Sequence, residues 1–208
     1  MISINSEPES LEYSEILRKD VNFLRLPRKP FLDFSCMNLQ NLSFGKTAVE
    51  GWNYNTIIEE LFAKKANGLE KLELSKLEVI KTDILRILAS CFELSDTCIP
   101  HEVSLNLVKG VPCTKLHADF LPLRLICTYV GPGTIFLPKE STRYPCLNEG
   151  RANKRVLIKG KPMLQSEPFE ILLLKGRKFN KGEFRPCAHR SPEVDKGQDR
   201  LVLKVDFK

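Results

Sequence analysis

His117, Asp119 and His189 are the residues whose types and order could do chemistry. Leu116-His117-Ala118-Asp119 sets an imidazole and a carboxylate two residues apart, and Cys187-Ala188-His189-Arg190-Ser191-Pro192 supplies a second imidazole. The chain has only three histidines, so two of them in this order are informative. Side chains two apart in a strand share a face, so His117 and Asp119 can grip one ion from a single strand end. His189 must then come from a strand lying beside it. Two imidazoles and one carboxylate on one face of a metal leave three coordination positions open. That donor set suits Fe(II), accommodates Mn(II) or Zn(II), and disfavours soft Cu(I).

Arg200 follows His189 by eleven residues. Leu201, Leu203, Val205 and Phe207 make one apolar face of a terminal strand, and Arg200, Val202, Lys204 and Asp206 make the other. If the apolar face packs under a helix, Arg200 points into the mouth of a barrel, where a guanidinium can hold a carboxylate in a bidentate pair. Lys204 and Asp206 on the same face argue instead for a solvated surface.

The elements that must position these groups change type near residue 100. Residues 1–50 read as an irregular arm, broken by Pro27 and Pro30. A helix is expected over 54–66, stopped by Asn67-Gly68. A longer one is expected over 70–92, with Leu77, Ile80, Ile84, Leu88 and Phe92 as its buried stripe. From residue 100 the pattern is β. Val103, Leu105 and Leu107 alternate with polar residues, while 123–130 and 169–174 are almost continuously apolar, as in strands covered on both faces. Gly131-Pro132-Gly133 is a turn, 134–137 and 200–207 are strands, and 139–162 is a basic loop that could lid the site. Helices first and then about eight short strands predict an α+β protein, a double-sheet jelly roll buttressed by N-terminal helices. The 208 residues form a single domain on this reading, with an arm and helices over 1–99 and the β core over 100–208.

Bulk properties set bounds. A net charge of +6 favours anionic partners, whether substrate, cosubstrate or nucleic acid, and equally describes an ordinary solvated surface. The basic segment 151–161 lacks the interleaved aromatics that stack on bases, so nucleic acid is weakly supported. No apolar run approaches a membrane span, and Met1-Ile2-Ser3-Ile4-Asn5 does not begin a secretory leader. With seven cysteines, an odd number, the expectation is a cytoplasmic protein with reduced thiols.

Helices, H-x-D, a buried strand, a Leu-Leu-Lys-Gly turn, a histidine and then an arginine together resemble the Fe(II)/2-oxoglutarate-dependent oxygenases. In more detail, His117-Ala118-Asp119, Leu123-Arg124-Leu125, Thr128-Tyr129, Gly131-Pro132-Gly133-Thr134, Lys175-Gly176 and His189-Arg190-Ser191-Pro192 resemble an uncharacterised bacterial domain family. The resemblance covers about residues 100–207. It implies a double-stranded β-helix of the cupin-like kind. It also implies metal ligation by His117, Asp119 and His189, and 2-oxoglutarate held by Arg200, for hydroxylation or demethylation of an unknown substrate. Members of the superfamily often place a hydroxyl residue two positions after the arginine; here that residue is Val202, so Thr128, Tyr129 or Ser191 would have to supply the hydroxyl.

Other chemistries compete. Cys113 and Cys187 lie close in sequence to His117 and His189, and the four could form a Cys2His2 zinc site in a metal-binding or sensing protein, which would leave Asp119 idle. Both thiols are otherwise small buried hydrophobes. A phosphate-binding loop at Phe44-Gly45-Lys46-Thr47 fails because Gln40 stands where its first glycine belongs. A Cys187–His189 nucleophile pair lacks an identifiable orienting carboxylate. His101, after Pro100, reads as a surface residue.

Overall fold

The computed structural model describes residues 12–34, 44–49, 53–62, 71–91, 94–179 and 185–208. Two antiparallel sheets and a helical layer account for most of them. The larger sheet has six strands: β1 (Phe23–Leu26), β2 (Lys46–Ala48), β3 (Pro100–Lys109), β4 (Leu123–Val130), β7 (Ile171–Lys175) and β9 (Asp199–Phe207), in the order β1-β7-β4-β9-β3-β2. The smaller is β6 (Leu164–Gln165), β5 (Ile135–Leu137) and β8 (Ala188–Arg190), in the order β6-β5-β8. A single bridge pairs His117 with His189 and extends the smaller sheet past β8.

The central strands are two-sided, which explains their unbroken apolar runs. One face of the larger sheet presents Leu123, Leu125, Cys127 and Tyr129 from β4 with Leu201, Leu203, Val205 and Phe207 from β9. Against these lie α1 (Tyr54–Phe62) and α2 (Lys71–Cys91), which bury Ile57, Leu61, Leu77, Ile80, Ile84 and Leu88 at helical spacing. Asn53 caps α1, its Oδ1 accepting from the Thr56 amide at 3.2 Å. The other face turns Ile126, Leu172, Leu174 and Val202 toward Phe136 and Cys187 of the opposite wall, closing a small inter-sheet core.

The N-terminal region does more than pack on the sheet: β1 and β2 are its two edge strands. Short strands on either side of a proline-broken stretch carry too little periodicity to stand out as β. The Asn67-Gly68 stop and Phe92 lie outside the described residues. The basic loop contains two short helices, α3 (Tyr144–Asn148) and α4 (Asn153–Val156). No helix among the described residues is long and apolar enough to cross a membrane, and no disulfide joins the six described cysteines.

A buried polar knot pins the helices to the sheet. Arg28 pairs with Asp83 of α2 at 2.6 and 3.1 Å, and the Tyr129 hydroxyl donates to the same carboxylate at 2.7 Å. Removing one member strands the others in low dielectric. Asp83→Ala is therefore expected to cost about 3–5 kcal/mol in urea unfolding, and a loss under about 1 kcal/mol would show that the knot is not structural.

Candidate metal centre

The H-x-D segment leaves the larger sheet's interior open to two of its side chains and turns the others outward. Leu116 and Ala118 pack with Leu147, Val156 and Ala188, on the side of α3 and α4. Asn153 of α4 fixes the backbone there, its Oδ1 accepting from the Leu116 amide and its Nδ2 donating to the Thr114 carbonyl, both at 2.7 Å. The basic segment thus braces the ligand strand from behind and is not seen as a lid over it. His117 and Asp119 point the other way. The His117 amide donates to the His189 carbonyl at 3.0 Å and the His189 amide to the His117 carbonyl at 2.8 Å. A cross-strand pair of this kind shares one face, and the two rings lie 4.5 Å apart.

One potential ligand atom from each of His117, Asp119 and His189 lies within 4.8 Å of the others. The imidazole hydrogen bonds assign the ring protons. His117 Nδ1 faces the Lys115 carbonyl at 3.0 Å and His189 Nδ1 faces the Cys187 carbonyl at 3.3 Å. Each Nδ1 is then the donor, and each Nε2 keeps a lone pair facing inward. His189 Nε2 lies 3.3 Å from Asp119 Oδ2, and His117 Nε2 lies 3.8 Å from Oδ1. Yet Oδ2 is buried and, with His189 Nε2 unprotonated, receives no hydrogen bond among the described residues. Inward lone pairs and a buried orphaned carboxylate oxygen are acceptors without a donor, and a divalent cation is what such a set fits.

Arg124 controls the carboxylate. Its Nη1 donates to Asp119 Oδ1 at 2.8 Å, while Nε and Nη2 grip both oxygens of Asp206 at 2.5 and 2.7 Å. Oδ1 is thereby occupied and Oδ2 turned toward His189. Burial would raise the Asp119 pKa, but His189, Arg124 and His117 outweigh it and hold it down to about 2. Burial, then His189, push the His117 imidazole below the usual histidine value. Gly176 completes the placement. Its amide donates to the Pro122 carbonyl and the next amide to that of Asp119, at 2.7 and 2.8 Å. A Cβ there would meet the Leu121 carbonyl oxygen at 2.0 Å and the Asp119 carbonyl oxygen at 2.9 Å.

Arg200 lies on the interior face of β9, paired in register with Val108 of β3, and is only 3 % exposed. Its Nε donates to the Pro132 carbonyl at 2.7 Å, and Nη2 stands 3.5 Å from Thr128 Oγ1. Among the described residues no carboxylate pairs with it, and burial lowers its pKa to about 10. Gly131, at φ 79°, admits this side chain: a Cβ would come within 2.8 Å of Arg200 Cγ. A cavity of about 610 Å³ opens beside the 131–133 turn; the triad does not line it.

Two expectations need correction. Tyr129 is not a cosubstrate group: it follows Thr128 in β4, so it faces the helices and donates to Asp83. Thr128 is the inward hydroxyl. A Cys2His2 cage does not assemble, because Cys113 Sγ lies 3.4 Å from Nδ1 of His117, on the edge of the ring away from Asp119. Cys187 is buried against the Leu137 carbonyl, with burial pushing its thiol pKa up. His101 is exposed. Arg124, Asp206 and Gly176 were not singled out as site residues by sequence reasoning. An arginine within an otherwise apolar strand was the available signal, since unpaired charge is not buried without cause.

The fold and cluster define an α+β protein of two antiparallel sheets with a His-Asp-His set that could hold a metal ion between them. The chain belongs to the family described as protein of unknown function (DUF1826), whose model matches residues 7–206. No curated protein matches the sequence. Among solved structures, the chain is similar to a Pseudomonas putida prolyl-4-hydroxylase. The identity is 12 % and the TM-score 0.35, over 82 % of this chain and 90 % of that one.

Calorimetric titration of the metal-free protein with Mn(II) or Zn(II) is expected to show one site, lost in His117→Ala, Asp119→Ala and His189→Ala and kept in Cys113→Ser. Arg124→Ala should weaken it by about 10- to 100-fold. Protons compete for the His117 imidazole, which burial holds below the usual histidine value of about 6.5, so affinity should hold down to that pH and fall below it. Retention of the site in Asp119→Ala would refute the assignment. In the metal-free protein the lowered Asp119 pKa adds stability above about pH 4 that is lost as pH falls toward 2. The stability difference between wild type and Asp119→Asn should shrink over that window.

Proposed function

We propose that this protein is an Fe(II)/2-oxoglutarate-dependent oxygenase, a hydroxylase or demethylase, built on a double-stranded β-helix. Strand order supports the architecture. From residue 100 the chain alternates between two walls: β3, the His117 bridge, β4, then β5 and β6 together, β7, β8 and β9. One wall reads β3-β9-β4-β7 and the other reads bridge-β8-β5-β6, as a jelly roll requires.

The observation that carries the reading is the buried Arg200, paired with no carboxylate among the described residues, on the interior face that also receives the converging His117, Asp119 and His189. 2-Oxoglutarate has a group for each: a keto acid that chelates a metal, and a distal carboxylate for a guanidinium. Bound Fe(II) supplies the dioxygen chemistry, coupling decarboxylation of 2-oxoglutarate to succinate with oxygen transfer to a substrate C–H bond. The chain's own residues do the positioning. His117 and His189 present Nε2, Arg124 aims Asp119, Arg200 takes the distal carboxylate and Thr128 offers its hydroxyl beside it. Ile126, Phe136, Leu172, Leu174 and Val202 keep water from the interior. The His117 side chain is 39 % exposed against 6 % for His189, so substrate approaches from the His117 side.

Anaerobic titration of the metal-free protein with Fe(II) and then 2-oxoglutarate is expected to produce the weak visible charge-transfer band of the chelate. Arg200→Ala should reduce 2-oxoglutarate affinity by about a hundredfold and leave Fe(II) binding intact. No band, with tight Zn(II) binding indifferent to 2-oxoglutarate, would replace the enzyme with a metal-binding or sensing protein.

A further inference from the structure

Arg200 is not the only uncommitted cation on the interior face. Lys204 lies four residues further along β9, in register with Ile126 of β4 and Ser104 of β3. Four residues of strand span about 13 Å, and the Arg200 head is held at Pro132 and Thr128. The two cations therefore root at different stations along the interior face.

Each carboxylate that faces Lys204 already has a cation beside it. Asp206 and Asp119 are bound by Arg124, and Glu102 by Lys46 at 3.1 Å. Lys204 itself makes no hydrogen bond or ion pair among the described residues. Its cross-strand neighbour Ser104 is buried and accepts from Asn106 Nδ2 at 3.0 Å, which leaves the Ser104 hydroxyl proton to donate. Lys46, Arg124 and Lys204 balance Glu102, Asp119 and Asp206, so a divalent ion at the triad would leave this end of the interior positive. Burial, then Arg124, lower the Lys204 pKa, the signature of an ammonium short of a partner.

We propose that Lys204 and the Ser104 hydroxyl bind an oxyanion of the substrate, so that the substrates are molecules carrying a carboxylate, phosphate or sulfonate near the carbon that reacts. This rests on the oxygenase reading. Arg200 serves the cosubstrate and Lys204 the substrate, with Arg124 spent on holding the ligand carboxylate.

The test uses full-length protein loaded with Mn(II) and saturated with 2-oxoglutarate, titrated separately with inorganic phosphate, acetate and methanesulfonate. Line broadening of the phosphorus or methyl signal by Mn(II) reads out binding near the metal. At least one anion should broaden with wild type. Lys204→Gln should weaken that binding about tenfold, Lys204→Arg should retain it, and neither should alter 2-oxoglutarate affinity by more than about twofold. No broadening by wild type, equal binding in Lys204→Gln, or an equal loss of 2-oxoglutarate affinity in that variant would overturn the proposal. Failure of the oxygenase reading looks different: wild type would not hold Mn(II) with 2-oxoglutarate. The anions are then titrated calorimetrically against metal-free protein, where binding that depends on Lys204 supports the oxyanion site alone and its absence overturns it.

Discussion

The Arg124 guanidinium joins two parts of the chain that would otherwise have no fixed relation. It is rooted in the central strand β4, clamps Asp206 on the neighbouring strand and reaches the Asp119 carboxylate in the loop before its own strand. A charge in an inter-sheet space is costly unless it is fully paired, and here the pairing is also what aims Asp119. The same contact that makes Arg124 tolerable leaves the other carboxylate oxygen facing the His189 imidazole, with no donor among the described residues. Stability of the sheet and geometry of the cluster are coupled through one side chain.

That coupling works because the larger sheet has two different faces. Toward the helices it is apolar, closed by α1 and α2 and pinned by Arg28, Asp83 and Tyr129. Toward the smaller sheet it is mixed, with Ile126, Leu172, Leu174 and Val202 packed against Phe136, and charged groups beyond them. The alternation of side chains across a strand sends neighbours in sequence to opposite fates. Thr128 meets Arg200, while Tyr129 meets Asp83.

Close backbone approach sets the remaining positions. Gly176 lets the end of β7 lie against the carbonyls of the loop that carries Asp119, and Gly131 lets the 131–133 turn close over Arg200. Asn153 and the small cluster around Leu116 and Leu147 hold the H-x-D segment from outside. These contacts fix the backbone behind the inward groups without entering the interior.

Periodicity in the sequence determined the helical layer, the two-sided strands and the separation of Arg200 from the apolar face of β9, because each depends on spacing along a single element. The spacing of His117 and Asp119 likewise determined that they share a face. Tertiary structure alone decided that His189 is the cross-strand partner of His117, that β1 and β2 complete the larger sheet, and that Arg124 rather than solvent occupies Asp119. It alone set Tyr129 among the helices and turned Cys113 to the outer edge of His117. These facts depend on register between strands far apart in the chain. A one-residue slip in register exchanges the two faces of a strand, and no local pattern encodes which strand lies beside which.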